Sequence, residues 1–164
     1  MTDPIRLLLA DDQQMVRAGF RLVLDAQPDM SVVGEANDGA EALQLVDELA
    51  PDVVLMDIRM PVLDGLGATE KIMTSHPEAK ILVLTTFDLD EYVHSALRAG
   101  ASGFMLKDAG PTELLAAIRA VRDGDSVVAP SATRRLIERF IPRQGERAAT
   151  ITDPKLVETL SDRE

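Results

Sequence analysis

From Ile5 to Asp125 the chain alternates short aliphatic runs with longer stretches whose apolar residues recur every three or four positions. That alternation is the signature of a parallel sheet flanked by helices. Strands are expected at Ile5–Ala10, Ser31–Ala36, Asp52–Asp57, Lys80–Thr85 and Ser102–Leu106. Leu7-Leu8-Leu9, Val53-Val54-Leu55-Met56 and Ile81-Leu82-Val83-Leu84 lack polar alternation, so their strands should be covered on both faces and lie centrally. Between the runs, Val16, Phe20 and Val23 recur at helical spacing, as do Leu114, Ile118 and Val121, and Val93, Ala96 and Leu97. Asn37-Asp38-Gly39 opens the second helix, Ala99-Gly100 closes the fourth, and Asp123-Gly124-Asp125 follows the fifth. Five βα units result. Gly67, inside the expected third helix, costs helix propensity with no compensation visible in the sequence beyond close packing.

The pattern changes after Pro130. Ser131 is a candidate N-cap for a short, arginine-rich amphipathic helix carrying Leu136, Ile137, Phe140 and Ile141. A polar connector follows from Arg143 to Asp153, and Leu160-Ser161-Asp162-Arg163-Glu164 reads as the opening of a further element. Charge divides at the same place: residues 1–128 hold 10 basic and 22 acidic side chains, whereas residues 129–164 hold 7 and 6. The domains expected are therefore 1–128, a folded α/β unit, and 129–164, a linker with a short helix.

Composition narrows the class. With 164 residues, one main domain is expected, and 46% hydrophobic with 27% charged residues fits a folded, soluble chain without a membrane span. Cysteine is absent, which excludes disulfides and thiol chemistry and fits the cytoplasm; no basic and apolar leader follows Met1. A net charge of -11 opposes broad nucleic-acid binding by the chain as a whole.

In an open α/β sheet, ligands bind beyond the carboxyl ends of the central strands. Here strand one ends in Asp11-Asp12, strand three in Asp57, strand four in Thr85-Thr86, and strand five leads into Lys107. Three carboxylates at one edge repel unless a cation joins them, and all-oxygen donors favour a hard ion such as Mg2+. Lys107 and Thr85 supply a positive charge and a hydroxyl suited to the oxygens of a phosphoryl group. Asp57 is the best candidate nucleophile, since a carboxylate attacking phosphorus gives an acyl phosphate. The turn at Arg59-Met60-Pro61 would expose it and let a backbone carbonyl help hold the metal.

These pieces, Leu8-Leu9-Ala10-Asp11-Asp12, Asp57-Ile58-Arg59-Met60-Pro61 with Asp64-Gly65, Leu84-Thr85-Thr86, and Gly100 through Asp108, stand in order at strand ends. Together, over about residues 5–125, they resemble the receiver domain of bacterial two-component response regulators. The stretch from Arg98 to Asp108 resembles the NarL/FixJ subfamily, and Leu160–Glu164 is similar to the start of its helix-turn-helix DNA-binding domain. The resemblance implies a doubly wound, flavodoxin-like five-stranded parallel sheet of order 2-1-3-4-5, with helices on both faces and a C-terminal linker helix. It also implies a chain cut before its DNA reader. Asp57 would be phosphorylated by a sensor histidine kinase. Asp57, Asp12 and the Arg59 carbonyl would bind Mg2+, with Asp11 acting mainly through water. Lys107 would pair with the phosphoryl group, and Thr85 and Phe104 would form the switch, moving toward the phosphate and inward. Phosphorylation would then alter the surface of the fourth helix, fifth strand and fifth helix and so control homodimerisation. DNA would be reached only through the missing domain, and no membrane is involved. Two departures from many receivers are Asp108 where proline is common after the lysine, which weakens the inference of a cis peptide there, and bulky Phe87. Arg59 and Phe87 lie where the family tunes water access, which suggests slow hydrolysis of the acyl phosphate.

Other readings of the same residues exist. Asp11-Asp12 can cap a helix, Thr85 can bond to backbone, and Phe104 can be plain core. His76 and His94 lack partners at ligand spacing and read as solvated surface. The arginines from Arg134 to Arg147 alternate with Glu138 and Glu146, which suits a solvated helix better than a DNA contact. A turnover phosphohydrolase would need a second acid two residues after the nucleophile, where Arg59 stands, so the chain is expected to act as no enzyme beyond its own phosphorylation and dephosphorylation. A fixed interaction module is the remaining alternative.

Overall fold

The computed structural model describes residues 3–85, 90–125 and 127–128. In chain order they form β1 (Ile5–Ala10), α1 (Gln14–Asp25), β2 (Met30–Ala36), α2 (Gly39–Leu49), β3 (Val53–Asp57), α3 (Gly65–Ser75), β4 (Ile81–Thr85), α4 (Asp90–Arg98), β5 (Gly103–Leu106), α5 (Pro111–Arg122) and β6 (Val127–Val128). Each expected strand is present to within a residue. All pairings are parallel, in the order β2-β1-β3-β4-β5-β6. The five-strand order 2-1-3-4-5 thus holds, extended by a sixth strand of two residues that is too short to leave a periodic trace. Thr86, Phe87, the linker helix from Ser131, the Arg143–Asp153 connector and the terminal Leu160–Glu164 lie outside the described residues.

The strands with unbroken apolar runs are the ones buried along nearly their whole length: every residue of β3 and β4, and all of β1 but Arg6. Alternate side chains serve opposite faces. On one face Leu7, Leu9, Leu55, Leu82, Leu84 and Met105 form a core with Leu24 of α1 and Leu114, Ala117, Ile118 and Val121 of α5. The intervening Leu8, Val54, Met56, Ile81, Val83 and Phe104 are equally buried. On their side, a methyl group at Gly34 would meet Leu45 and Leu49 of α2. Each such side chain contributes roughly 1.5–3 kcal/mol on burial.

One helix face differs from its expectation. Along α1 the buried residues are Arg17 and Leu24, while Val16, Phe20 and Val23 are half-buried. The helix is rotated so that an arginine, rather than Val16, reaches the end of the sheet. Gly67 finds its reason at the start of α3: the Asp64 side chain accepts its N–H at 2.8 Å, and a Cβ there would lie 2.8 Å from Leu63 Cδ1 and 3.3 Å from Asp64 Oδ1. The N-cap closes over a bare Cα.

His76 keeps to the surface, and it is paired there. It ends α3, and its Nε2 lies 2.5 Å from Asp47 Oδ1 on α2, with Glu78 3.7 Å from Nδ1. Pairing with Asp47 raises its pKa above the ordinary value of about 6.5. A raised folded pKa means stability that is complete below the unfolded value and is lost as pH climbs through the folded one. His76→Gln should therefore lower the urea midpoint at about pH 5.5 and leave it unchanged near pH 9. Equal losses at both would remove the ionic reading.

Candidate functional site

Register brings the chemistry to one edge. Ala10 pairs with Met56, Asp57 with Leu84, and Thr85 with Leu106, so the residues at or just after β1, β3, β4 and β5 emerge together. The strand order reverses between β1 and β3, the place where an open sheet leaves a crevice.

Ligand atoms of Asp11, Asp12 and Asp57 lie within 4.8 Å of one another. Asp11 and Asp57 are buried and Asp12 is exposed. Lys107 reaches in from beyond β5, with its ammonium 2.5 Å from Asp11 Oδ2 and 3.2 Å from Asp57 Oδ1. Its backbone N–H donates to the Thr85 carbonyl at 2.7 Å, tying the lysine to the end of β4. Burial raises the Asp57 pKa to about 6; Lys107 opposes this, and the charges of Asp11 and Asp12 add to it. One ammonium facing three carboxylates leaves this cluster with a surplus of acidic over basic groups. An all-oxygen donor set with that surplus suits a hard divalent cation, and three close carboxylates are a group that could hold one.

The segment after β3 shapes the opening. Ile58, Arg59, Met60 and Pro61 line a groove of about 490 Å³ together with Asp12 and Asp64, so Arg59 is placed beside the acidic cluster with its side chain exposed. The chain then turns at Val62, whose φ is 69°, with Leu63 N–H donating to the Pro61 carbonyl at 2.7 Å. A β-branched residue in that region is strained by roughly 1–3 kcal/mol. Gly65 N–H returns to the Ile58 carbonyl at 2.8 Å. No peptide bond among the described residues is cis.

Every expected site residue within the described part falls at this edge or beneath it. Thr85 is buried at the end of β4, one residue beyond the Asp57 partner Leu84. Phe104 is fully buried on β5 opposite Val83, so any inward turn begins from a side chain already inside. Three contributors were not singled out from sequence. Arg17 is buried, donating to the Asp11 carbonyl and to Glu35 at 2.9 Å. Glu35 of β2, held below the usual carboxylate range by Arg21 and then Arg17, is its counterion. The third is the strained Val62. The only sequence signal for Arg17 is a charge within the run Met15-Val16-Arg17-Ala18, which helical periodicity alone places outside the buried stripe.

Comparison with known proteins gives concordant matches. The model of the response regulator receiver domain matches residues 7–119. The uncharacterized transcriptional regulatory protein YxjL of Bacillus subtilis is 46% identical over 153 residues, 93% of this chain and 70% of that protein. A LuxR-family two-component response regulator from Aurantimonas sp. SI85-9A1 superposes with a TM-score of 0.81 at 34% identity, covering 85% of this chain and 99% of the other. A structure of two RcsB dimers bound to two parallel DNAs gives a TM-score of 0.76 at 27% identity, over 96% and 75%.

Proposed function

Because the chain belongs to the response regulator receiver family, we propose that it is a phosphorylation-dependent switch in which Asp57 accepts a phosphoryl group from a sensor histidine kinase and the new charge controls a transcriptional output. The observation that carries this is the convergence of Asp11, Asp12, Asp57 and Lys107 within a few ångströms at the crevice of the sheet.

An Asp57 carboxylate oxygen attacks phosphorus as the phosphorus–nitrogen bond of the donor imidazole breaks, leaving an acyl phosphate on Asp57. Lys107 already lies against Asp57, so its ammonium moves onto an incoming phosphoryl oxygen with little rearrangement. Asp57, Asp12 and the Arg59 carbonyl would hold Mg2+ directly, and Asp11 would reach it through water. The ion, when bound, supplies charge for the phosphoryl oxygens and relieves repulsion among the carboxylates. Thr85 and Phe104 would form the switch: both are buried, Thr85 at the end of β4 and Phe104 on the neighbouring β5, the strand against which α4 packs. Residues 1–128 are the receiver, and 129–164 the linker toward a DNA-binding domain. Dimerisation through the α4–β5–α5 face is the route by which the new charge reaches that domain. The setting is the cytoplasm, where the kinase would present its phosphohistidine. No helix among the described residues is long and apolar enough to cross a membrane.

Incubation with acetyl phosphate and Mg2+, followed by intact-mass measurement, tests the reading. One stable added phosphoryl group is expected. Catalytic release of phosphate would instead make the chain a phosphohydrolase, and an unchanged mass would make it a fixed interaction module.

A further inference from the structure

We infer that Arg17 is a positioning residue for the metal-binding loop: from α1 it pins the Asp11 carbonyl against Glu35 of β2 and so sets the direction in which Asp12 presents its carboxylate. The inference rests on the reading above that the acidic cluster binds Mg2+.

The Arg17 side chain is only 8% exposed. Burying a guanidinium is costly unless it is paired and hydrogen-bonded, and an apolar side chain would be buried at this position more cheaply. Packing therefore does not require an arginine here. Its contacts do: Nε donates to Glu35 Oε1 at 2.9 Å, and one terminal nitrogen donates to the Asp11 carbonyl. The opposite oxygen of Glu35 accepts from Arg21 at 2.5 Å, so the carboxylate is itself clamped.

Asp11 is consequently fixed at every polar atom. Its N–H donates to the Ala36 carbonyl at 3.0 Å, Oδ1 accepts from Gln13 N–H at 2.8 Å, Oδ2 accepts from Lys107, and the carbonyl accepts from Arg17. The peptide unit is planar, so holding the Asp11 carbonyl also orients the N–H and Cα of Asp12. Asp12 is exposed, and no side-chain hydrogen bond holds it among the described residues. Its carboxylate takes its direction from that backbone. Arg17, Asp11 and Asp57 also line a void of only about 10 Å³, which leaves the loop little slack against the acceptor.

The test is calorimetric titration of the full chain with Mg2+ alone, alongside thermal unfolding and metal-free amide exchange. Residues that orient metal ligands alter affinity by roughly 10–100-fold, and Arg17→Gln is expected to weaken Mg2+ binding about tenfold. Arg17→Lys, which keeps the charge but cannot bridge both acceptors, should fall between. The double variant Arg17→Leu, Glu35→Leu separates positioning from folding, since it restores an apolar contact without the clamp. It should unfold near the native temperature, exchange the Asp12 and Gln13 amides faster, and still bind Mg2+ weakly. Arg21→Ala, which leaves the Arg17 contacts in place but frees one Glu35 oxygen, should weaken binding less than Arg17→Gln does. Should Arg17→Gln fail to fold, the double variant decides. Native Mg2+ affinity in that double variant would overturn the inference alone; a native chain that takes up no Mg2+ would overturn the metal reading and this inference with it.

Discussion

Asp57→Asn should take up no phosphoryl group from acetyl phosphate and yet, in EDTA near neutral pH, should unfold at a higher temperature than the native chain. The two halves of this result share one cause. Asp57 lies where burial and two neighbouring carboxylates work against its charge, and a pKa of about 6 means that ionising it in the folded state costs more than in the unfolded chain. A shift of that size corresponds to roughly 3 kcal/mol, and solvent screening of a group at the mouth of a crevice reduces it to about 1–2 kcal/mol. The amide keeps the shape and removes the charge, while Lys107 retains Asp11.

The sign has a pH window. Between the unfolded pKa of about 4 and the folded value of about 6, the native state holds more protons than the unfolded one, so native stability falls as pH rises. The penalty is complete above that window and absent below it. The advantage of Asp57→Asn should accordingly be largest at about pH 7.5 and vanish near pH 3.5. Mg2+ should raise the unfolding temperature of the native chain and narrow the difference. Paired melting curves at the two pH values check this; an amide variant less stable than native at neutral pH in EDTA would mean that Lys107, and not repulsion, dominates the pocket.

Most of the architecture was legible because the two periods are so distinct. Aliphatic runs as short as these, bounded by turn residues, read as strands covered on both faces, and the glycine and aspartate punctuation between them leaves little choice of boundary. The acidic cluster was legible for a related reason: parallel strands deliver their carboxyl ends to one edge, so Asp11, Asp12, Asp57 and Lys107 converge whatever the details of packing. What escaped was information carried by single partners across the sheet. Arg17 is polar on a helix whose apolar residues suggest a different buried face, and its burial is explained by the Asp11 carbonyl and by Glu35, eighteen residues on in β2. His76 likewise meets Asp47 across two helices, a pairing with no local signature. Val62 looks like an ordinary loop residue until its φ is seen.

Gly65 was legible as part of a motif but not as a steric necessity, and it carries the second large prediction: Gly65→Ala should cost stability and labelling together, but labelling far more. A Cβ at this position would stand 1.9 Å from the Asp57 carbonyl oxygen, 2.8 Å from its carbon and 3.0 Å from Ile58 Cα. All three atoms are backbone, so no rotamer change relieves the clash. Either α3 lifts from the sheet, breaking the 2.8 Å bond from Gly65 N–H to the Ile58 carbonyl, or the end of β3 moves and carries Asp57 away from Lys107. Overpacking against a rigid wall costs about 1–3 kcal/mol, and the upper end applies here, equivalent to a fall of roughly 10 °C in unfolding temperature. Such a chain is still almost wholly folded at 25 °C, so a mere stability defect would leave the labelling rate near native. Displacement of the acceptor carboxylate by an ångström would not, because phosphoryl transfer depends on placement at that scale and loses about a hundredfold. Gly19→Ala is the matched control. Its Cβ meets nothing within 4 Å in the middle of α1, so it should gain about 0.5–1 kcal/mol and label as the native chain does. Native labelling by Gly65→Ala at an unchanged unfolding temperature would show that the β3–α3 junction is looser than its contacts imply, and that Asp57 is held in place by its side-chain partners alone.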